Sequence, residues 1–157
     1  MSARAAARLA AMGFNRVYDY VGGKKNWLAA GLPVEGERAG EHRSGDLTRR
    51  SPPTCRPGET IASIDGAEVE SWGLCVVTDV DNVVHGLVTP GDLAGSSQGA
   101  KLEEIMQPGP TTIRPSRSVK SSRDLIEQLE VDFVLVTTEL GELLGALYRE
   151  DVEEQPG

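Results

Sequence analysis

The sequence has few of the residues from which most reactive or metal-holding sites are built. Cysteine occurs twice, at Cys55 and Cys75, without CxxC spacing, and histidine occurs twice, at His42 and His85. A thiolate zinc site or a disulfide framework needs more than this, so no metal site is expected. His85 has no Ser, Cys or carboxylate partner at a telling spacing, and therefore no catalytic residue is predicted.

Aromatic residues and positive charge are also scarce. Phe, Trp and Tyr together make up 4% of the 157 residues, and the formal net charge is −8. Base-stacking platforms need aromatic faces and phosphate backbones attract basic surfaces, so we expect no nucleic-acid partner. Because no apolar run approaches the roughly 18 residues of a membrane span, we expect no membrane partner and a cytoplasmic location.

The remaining composition is that of a globular protein. Hydrophobic residues make up 39% and charged residues 25%, while 18 Gly and 9 Pro predict many short elements joined by turns. A polar stretch rich in Gly and Pro, EGERAGEHRSGDLTRRSPP, separates a basic first part from an acidic second part. We interpret residues 37–53, which lie within this stretch, as a linker.

The strongest regularity is a repeat in the second part. GLCVVTDVDNVVHGLVTPGDL, at residues 73–93, aligns without gaps with DFVLVTTELGELLGALYREDV, at residues 132–152. Upstream, Arg56 and Arg114, each followed by proline, correspond after one residue of slippage. Each copy has a short β-branched run, a turn and a returning strand, with a helical stretch before them and a short helix after them. Two copies of one strand–helix–strand–strand–helix unit are therefore predicted.

The repeat resembles the cystathionine beta-synthase (CBS) domain family, whose members occur as tandem βαββα motifs in a pseudo-symmetric pair. The resemblance rests on the glycine that opens each return strand, Gly86 or Gly145, and on the aspartate six residues later, Asp92 or Asp151. It implies an α/β (α+β) fold. The two implied motifs span residues 46–95 and 101–154.

The same resemblance implies a nucleotide site between the two motifs, most often for an adenosine ligand. In the family's G-x-x-T-x-x-D segment the Thr contacts phosphate and the Asp contacts ribose, and Gly86, Thr89 and Asp92 match that segment fully. In the second copy Tyr148 replaces the Thr that precedes Asp151. The candidate ligand-binding residues are thus Thr89, Asp92, Tyr148 and Asp151. The candidate ligands are AMP, ADP, ATP and S-adenosylmethionine, with no cofactor required.

Several of these residues also have a simpler interpretation. Thr89 and Asp92 are suited to capping the closing helix, which stabilises a protein by about 0.5 to 2 kcal/mol without any ligand. Trp72 either covers the edge of the core or stacks on an adenine. A group of basic residues either receives ligand phosphates or forms a solvated helix face; its members are Arg114, Arg117, Lys120 and Arg123.

Two functions therefore remain open for the repeat. The first is a regulatory or sensor module, a homodimer that binds a small nucleotide ligand between its motifs. The second is a ligand-free scaffold that only dimerises or docks on a partner, and the replacement of Thr by Tyr148 favours it. A titration with nucleotides separates the two hypotheses.

The first 36 residues suggest a different structure. An alanine-rich helix ending at Gly13 and a short strand at residues 16–21 are predicted, followed by a second helix that ends before Pro33. The pattern GG-x-x-x-W-x-x-x-G-L-P resembles the C-terminal end of the rhodanese (sulfurtransferase) family; it is carried by Gly22, Gly23, Trp27, Gly31, Leu32 and Pro33.

The rhodanese resemblance implies an αβα fragment at residues 1–36 without the family's catalytic loop and nucleophilic cysteine. Neither Cys55 nor Cys75 occupies the place of that nucleophile. We therefore expect the chain not to be an enzyme. A longer chain would add a third hypothesis, a sulfurtransferase-linked regulator.

Overall fold

The computed structural model describes residues 2–17, 23, 27 and 42–154. The chain forms two compact units, residues 1–39 and 40–157. In the first unit, helix α1 covers Ser2–Ala11. Gly13 follows this helix with a φ of +93°, so the helix and its glycine end are as the sequence predicts.

Only part of what the sequence predicts for the rest of the first unit can be compared with the structure. The strand predicted at residues 16–21 reaches the described residues at Arg16 and Val17, which are not in a strand. The remainder of that strand and the second predicted helix lie outside the described residues. The rhodanese-like interpretation of residues 1–36 is not confirmed and stays a prediction.

The second unit contains the βαββα order twice. Its elements before residue 96 are α2 (Ser44–Leu47), β1 (Thr54–Cys55), a 3-10 turn (Ile61–Ser63), α3 (Gly66–Trp72), β2 (Cys75–Thr78), β3 (Val84–Val88) and α4 (Pro90–Ala94). Those that follow are α5 (Leu102–Ile105), β4 (Gln107–Pro108), β5 (Thr112–Ile113), α6 (Val119–Leu129), β6 (Phe133–Thr137), β7 (Leu143–Tyr148) and α7 (Arg149–Glu153). The predicted mixed fold is therefore present, with one sheet in each copy.

The two sheets have matching connections. The first has the strand order β1-β2-β3-β4 and the second has the order β5-β6-β7. In each sheet the first strand is parallel to the second, and the second is antiparallel to the third. The antiparallel register shifts in both sheets at equivalent places, between Val77 and Thr78 and between Val136 and Thr137. The sequence repeat is thus a repeat of topology.

The buried strands carry apolar residues without alternation because both of their faces are covered. In β2, Cys75 and Val77 belong to the core of the first motif. Val76, which points to the opposite face, packs with Leu135 of β6 in a cluster that both motifs share. The buried members of this shared cluster are Leu74, Val76, Leu135, Leu143 and Ala146. This cluster joins the two copies.

Helix α6 follows the predicted apolar face over most of its length. Val119 and Ile126 are buried and Leu125 is half-buried. Leu129, which the sequence assigns to the same face, is 42% exposed instead. The helix ends there, because Glu130 adopts a left-handed φ of +53° and turns the chain away.

The turns of the two β-hairpins contact each other. The Val84 amide donates to the Gly141 carbonyl at 3.1 Å, and the Leu143 amide donates to the Asn82 carbonyl at 2.9 Å. The Asn82 side chain also donates to the Leu143 carbonyl at 3.0 Å. These bonds tie the hairpins together at one end of the shared cluster.

Each sheet is completed by a segment from the start of the other motif. We call these segments, residues 43–49 and 101–108, the exchanged segments. Gln107 in the second segment pairs with Leu87 of β3 in the first sheet. Arg49 in the first segment pairs with Ala146 of β7 in the second sheet, through two backbone hydrogen bonds of 2.8 and 3.0 Å. Each motif therefore has an exchanged segment of the other paired along the edge of its sheet.

The first exchanged segment lies within the stretch that we interpret as a linker from the sequence. Its helix α2 is anchored to the second motif by Ser44, whose hydroxyl lies 2.7 Å from that of Ser122. The Ser44 amide donates to the Arg117 carbonyl, and the Gly45 amide donates to the Pro115 carbonyl. The segment therefore has a fixed place in the fold, while the domain boundaries given above stay predictions.

The exchanged segments explain why each return strand contains a glycine. A Cβ on Gly86 would lie 2.8 Å from the Met106 sulfur and 2.9 Å from the Gln107 carbonyl. A Cβ on Gly145 would overlap the Arg49 carbonyl and the Thr48 methyl. Only a residue without a side chain leaves room for a backbone this close.

Candidate functional site

Thr89 and Asp92 lie at the turn from β3 into α4. The Thr89 hydroxyl accepts from the Asp92 amide at 3.3 Å, and the Asp92 carboxylate accepts from the Thr89 amide at 2.8 Å. This is a reciprocal capping box, with Pro90 at the start of the helix. The capping interpretation of the two residues is thus realised in the structure.

Asp92 makes more hydrogen bonds than capping requires. Its Oδ2 atom also accepts from the Thr89 hydroxyl at 2.7 Å and from the side-chain amide of Gln107 at 3.0 Å. Burial raises the pKa of Asp92, but the hydrogen bonds from Thr89 and Gln107 lower it, and the pKa lies below its ordinary value. Asp92 is therefore an anion at neutral pH. We call Thr89, Asp92 and Gln107 the first site.

Tyr148 lies at the turn from β7 into α7, where its position matches that of Thr89. Its hydroxyl donates to the Trp72 carbonyl at 2.6 Å. Its ring lies 6.5 Å from the Trp72 ring and 5.9 Å from the Phe133 ring, measured between centroids. Burial raises the pKa of Tyr148 to about 12, so the phenol is neutral and remains a donor.

Arg49 covers the ring of Tyr148. The central guanidinium carbon lies 4.5 Å from the ring centroid, which is a cation–π geometry. One guanidinium nitrogen donates to Asp151 Oδ1 at 2.8 Å and also to the Glu150 carboxylate. The hydrogen bond to Asp151 raises the pKa of Arg49 above its ordinary value. We call Arg49, Tyr148 and Asp151 the second site.

The two sites occupy equivalent places and differ in chemistry. In each, an exchanged segment provides a donor to the aspartate: Gln107 to Asp92 in the first site and Arg49 to Asp151 in the second. The aspartates are predicted from the sequence but these donors are not, and Arg49 lies in the stretch interpreted as a linker. The missed signal is that Arg49 and Gln107 are separated by 58 positions, the same spacing as Arg56 and Arg114.

The predicted basic group does not converge on either site. Arg114 donates to the Thr137 hydroxyl at 2.5 Å and to the Thr138 carbonyl. Arg117 donates to the Ser121 carbonyl, and Arg123 donates to the Val152 carbonyl. These guanidinium groups hold turns and helix ends of the second motif. Arg114, Arg117 and Lys120 are exposed, as on a solvated face, whereas Arg123 is half-buried.

The other residues singled out in the sequence have structural contacts. The side chain of His85 is 47% exposed, and its Nε2 atom lies 3.2 Å from Oδ2 of Asp79. Trp72 is half-buried against Tyr148, in agreement with a place at the core edge.

The two cysteines, Cys55 and Cys75, are both buried in the core of the first motif. The Cys75 thiol donates to the Cys55 sulfur at 3.1 Å. This hydrogen bond and burial raise the pKa of the Cys75 thiol far above its ordinary value. Cys75 is therefore a protonated core residue.

A separate groove of about 420 Å³ lies between α3 and α4. Its lining includes Ile64, Glu70, Leu93 and Ala94. Neither Thr89 nor Asp92 lines it, so this groove is distinct from the first site.

The described residues form neither a cluster suited to a metal ion nor a helix suited to a membrane. No group of three or more His, Cys, Asp or Glu side chains in residues 2–17 and 42–154 is placed to hold a metal ion. None of the helices in the described part of the chain has the length and apolar character that crossing a bilayer requires.

Comparison with protein families gives a match in the second motif. Residues 102–155 match the family model of the CBS domain. A relative is the "Uncharacterized protein YtoI" of Bacillus subtilis, which is 30% identical over 76 residues. The match covers 48% of this chain and 17% of YtoI, so the chain spans less than a fifth of that relative.

Solved structures extend the similarity to both motifs. CBSX2, in complex with AMP, has a TM-score of 0.62 and 19% identity, over 71% of this chain and 93% of that chain. The CBS domain pair of protein MJ0100, in complex with 5′-methylthioadenosine and S-adenosyl-L-methionine, has a TM-score of 0.60 and 18% identity, over 72% and 94%. At these identities the likeness shows the fold. The family model and the solved structures together support a tandem CBS domain pair.

Proposed function

We propose that the chain is a regulatory module without catalytic activity of its own, which binds an adenine nucleotide or a related adenosyl ligand at the first site. In this proposal Asp92 receives the ribose hydroxyls and Thr89 contacts phosphate. The tandem CBS fold supports it, because CBSX2 binds AMP and MJ0100 binds two adenosyl compounds on the same fold. Tyr148 and Asp151 form the corresponding second ligand site.

The observation that carries the proposal is the one-sided bonding of Asp92. Within residues 42–154, the hydrogen bonds that Asp92 accepts from Thr89 and Gln107 all run to Oδ2. The carboxylate is therefore held in a fixed orientation by one oxygen, while Oδ1 is left to accept from a ligand. A fixed carboxylate suits ribose hydroxyls, which donate to an ionised acceptor.

The proposal is tested by titrating the chain calorimetrically with AMP, ADP, ATP and S-adenosylmethionine. We expect Asp92→Asn to weaken binding at the first site about tenfold or more, because a hydrogen bond to a charged group contributes about 1.5 to 3 kcal/mol. Asparagine still accepts a hydrogen bond in the cap, so the fold is retained. Asp124→Asn, at an exposed position on α6, removes the same charge and serves as the matched control.

Two results would contradict this function. If none of the four compounds gives heat or raises the melting temperature, the chain is not a nucleotide sensor. If Asp92→Asn lowers the melting temperature but leaves the affinity for the best ligand equal to that of Asp124→Asn, Asp92 is a helix cap only.

A second candidate function, a dimerisation or docking scaffold, is favoured by the groove between α3 and α4. Ala94 lines this groove and its side chain is exposed. We expect Ala94→Arg to shift a homodimer toward the monomer in sedimentation velocity, because the long arginine side chain would fill the groove and prevent close packing of a partner there. Val80→Arg is the control, since Val80 is 86% exposed on a hairpin turn. Equal behaviour of both variants would exclude this groove as the interface.

A further inference from the structure

The second site is a preformed cation site in which a residue of the chain itself is bound. A positive group there meets one aromatic face, that of Tyr148, and two carboxylates, those of Glu150 and Asp151. Trp72 and Phe133 pack around the same ring. Aromatic faces and carboxylates together recognise guanidinium, ammonium and sulfonium groups.

The occupant is tethered but its charged group has freedom to leave. The backbone of Arg49 is fixed to Ala146 by two hydrogen bonds, whereas its side chain is 43% exposed. The guanidinium group can therefore swing out without disturbing the sheet. The bond to Glu150, whose side chain is 67% exposed, contributes little, about 0 to 1 kcal/mol, whereas the bond to Asp151, which is 21% exposed, has to be replaced by an interaction with the ligand.

Arg49 does not complete the hydrogen bonding of the site. Among the described residues, Oδ2 of Asp151 is buried and has no hydrogen-bond partner, while Oδ1 accepts from Arg49. A buried acceptor without a partner is costly, because it has lost water and gained nothing in return. A ligand that donates to Oδ2 would satisfy this buried acceptor, whereas Arg49 donates only to Oδ1.

The charges of the site exclude phosphate ligands. One guanidinium group faces two carboxylates, so the cluster is net negative even with Arg49 in place. A phosphate that displaced Arg49 from Asp151 would meet both carboxylates unpaired. A ligand with a positive group would instead replace Arg49 over the ring of Tyr148 and keep both carboxylates paired.

We propose that Arg49 is an internal cationic occupant of the second site, and that this site exchanges it for an adenosyl ligand carrying a positive charge rather than for a nucleoside phosphate. The inference rests on the proposed function, since it assumes that the two aspartate sites receive adenosyl ligands. It assigns them different ligand classes: the first site takes nucleotides, and the second site takes cations.

The test uses the full chain with Asp92→Asn, which weakens the first site, and compares it with the double variant that also carries Arg49→Ala. Each is titrated with S-adenosylmethionine, which has a sulfonium, with S-adenosylhomocysteine, which has a neutral thioether, and with AMP. If Arg49 occupies the site nine-tenths of the time, its removal is expected to tighten S-adenosylmethionine binding about tenfold. We expect the sulfonium to bind about fivefold tighter than the thioether in both proteins.

Two further variants separate the charge effect from simple opening of the site. Arg50→Ala removes the same charge at the next, exposed position and should leave all affinities unchanged. Tyr148→Leu, added to Arg49→Ala, should abolish the preference for the sulfonium over the thioether, because it removes the aromatic face. Thermal melts of each variant check that it is folded.

Several outcomes would overturn the inference. They are equal affinity for sulfonium and thioether, unchanged S-adenosylmethionine binding after Arg49→Ala, or a new AMP site in the double variant. The nucleotide function is tested separately, because AMP binding to the wild-type first site does not depend on Arg49. Failure of AMP to bind the wild-type chain would contradict that function, while displacement of Arg49 by a sulfonium would still be observable.

Discussion

Replacing Leu135 by alanine is expected to lower the free energy of unfolding by about 2 to 5 kcal/mol. Leu135 is fully buried and lies in the cluster that both motifs share. The substitution removes buried apolar atoms and leaves a cavity where the two sheets meet, so both motifs lose packing at once. Urea unfolding followed by circular dichroism measures the change.

Leu129→Ala is the matched control for this prediction. Leu129 is 42% exposed at the end of α6, and the same substitution there should change the free energy of unfolding by no more than about 0.5 kcal/mol. A similar loss in both variants would show that Leu135 is not part of a shared core. Two separate unfolding transitions in the Leu135→Ala protein would show that the motifs fold independently.

Replacing Gly145 by valine is expected to destabilise the second unit by about 3 kcal/mol or more. The new side chain would overlap the Arg49 carbonyl and the Thr48 methyl, and at least one of these is backbone that cannot rotate away. The first exchanged segment would have to leave the edge of β7. Hydrogen exchange of the Ala146 amide, which donates to Arg49, reports this release directly.

Gly99→Val separates this effect from the general cost of replacing glycine. A Cβ at Gly99 meets nothing within 4 Å, and its side chain would be exposed. We expect the melting temperature of Gly99→Val to stay close to that of the wild type. If Gly145→Val melts at the same temperature and its Ala146 amide remains protected, the close approach of the segment is not required for stability.

The repeat could be predicted from the sequence because two signals agree: the short apolar runs, and the equal spacing of the turn and return strand that follow each run. The apolar runs of β2 and β6 are buried on both faces, and each is followed by a turn and a returning strand at the same spacing. The closing helix α4 was also predictable, because Thr89, Pro90 and Asp92 form a local capping pattern. Local chemistry and periodicity are what a single sequence reports well.

The exchanged segments could not be predicted in the same way. Arg49 pairs with Ala146, almost a hundred residues later in the chain, and its own neighbours are polar and without an apolar period. Neither composition nor periodicity reports a pairing of this kind. For the same reason the sequence identifies Tyr148 as a replacement of Thr but not as the ring beneath a guanidinium group.

The aspartates of the two sites show what a local sequence motif predicts and what it does not. Asp92 and Asp151 match by position, yet Asp92 is bonded by a neutral amide and Asp151 by a guanidinium. The difference lies in Gln107 and Arg49, which belong to other parts of the chain. A local motif therefore predicts where a site lies, but distant residues decide its charge.

The placement of residues 43–49 has a kinetic consequence. The segment that contains Arg49 is made before either hairpin during synthesis, but its partner, β7, follows almost a hundred residues later. Closing so large a loop carries an entropic cost that no local contact repays. The first exchanged segment can therefore dock only after β7 has been made, and a ribosome-bound chain stopped near residue 100 should hold this segment without a place to dock.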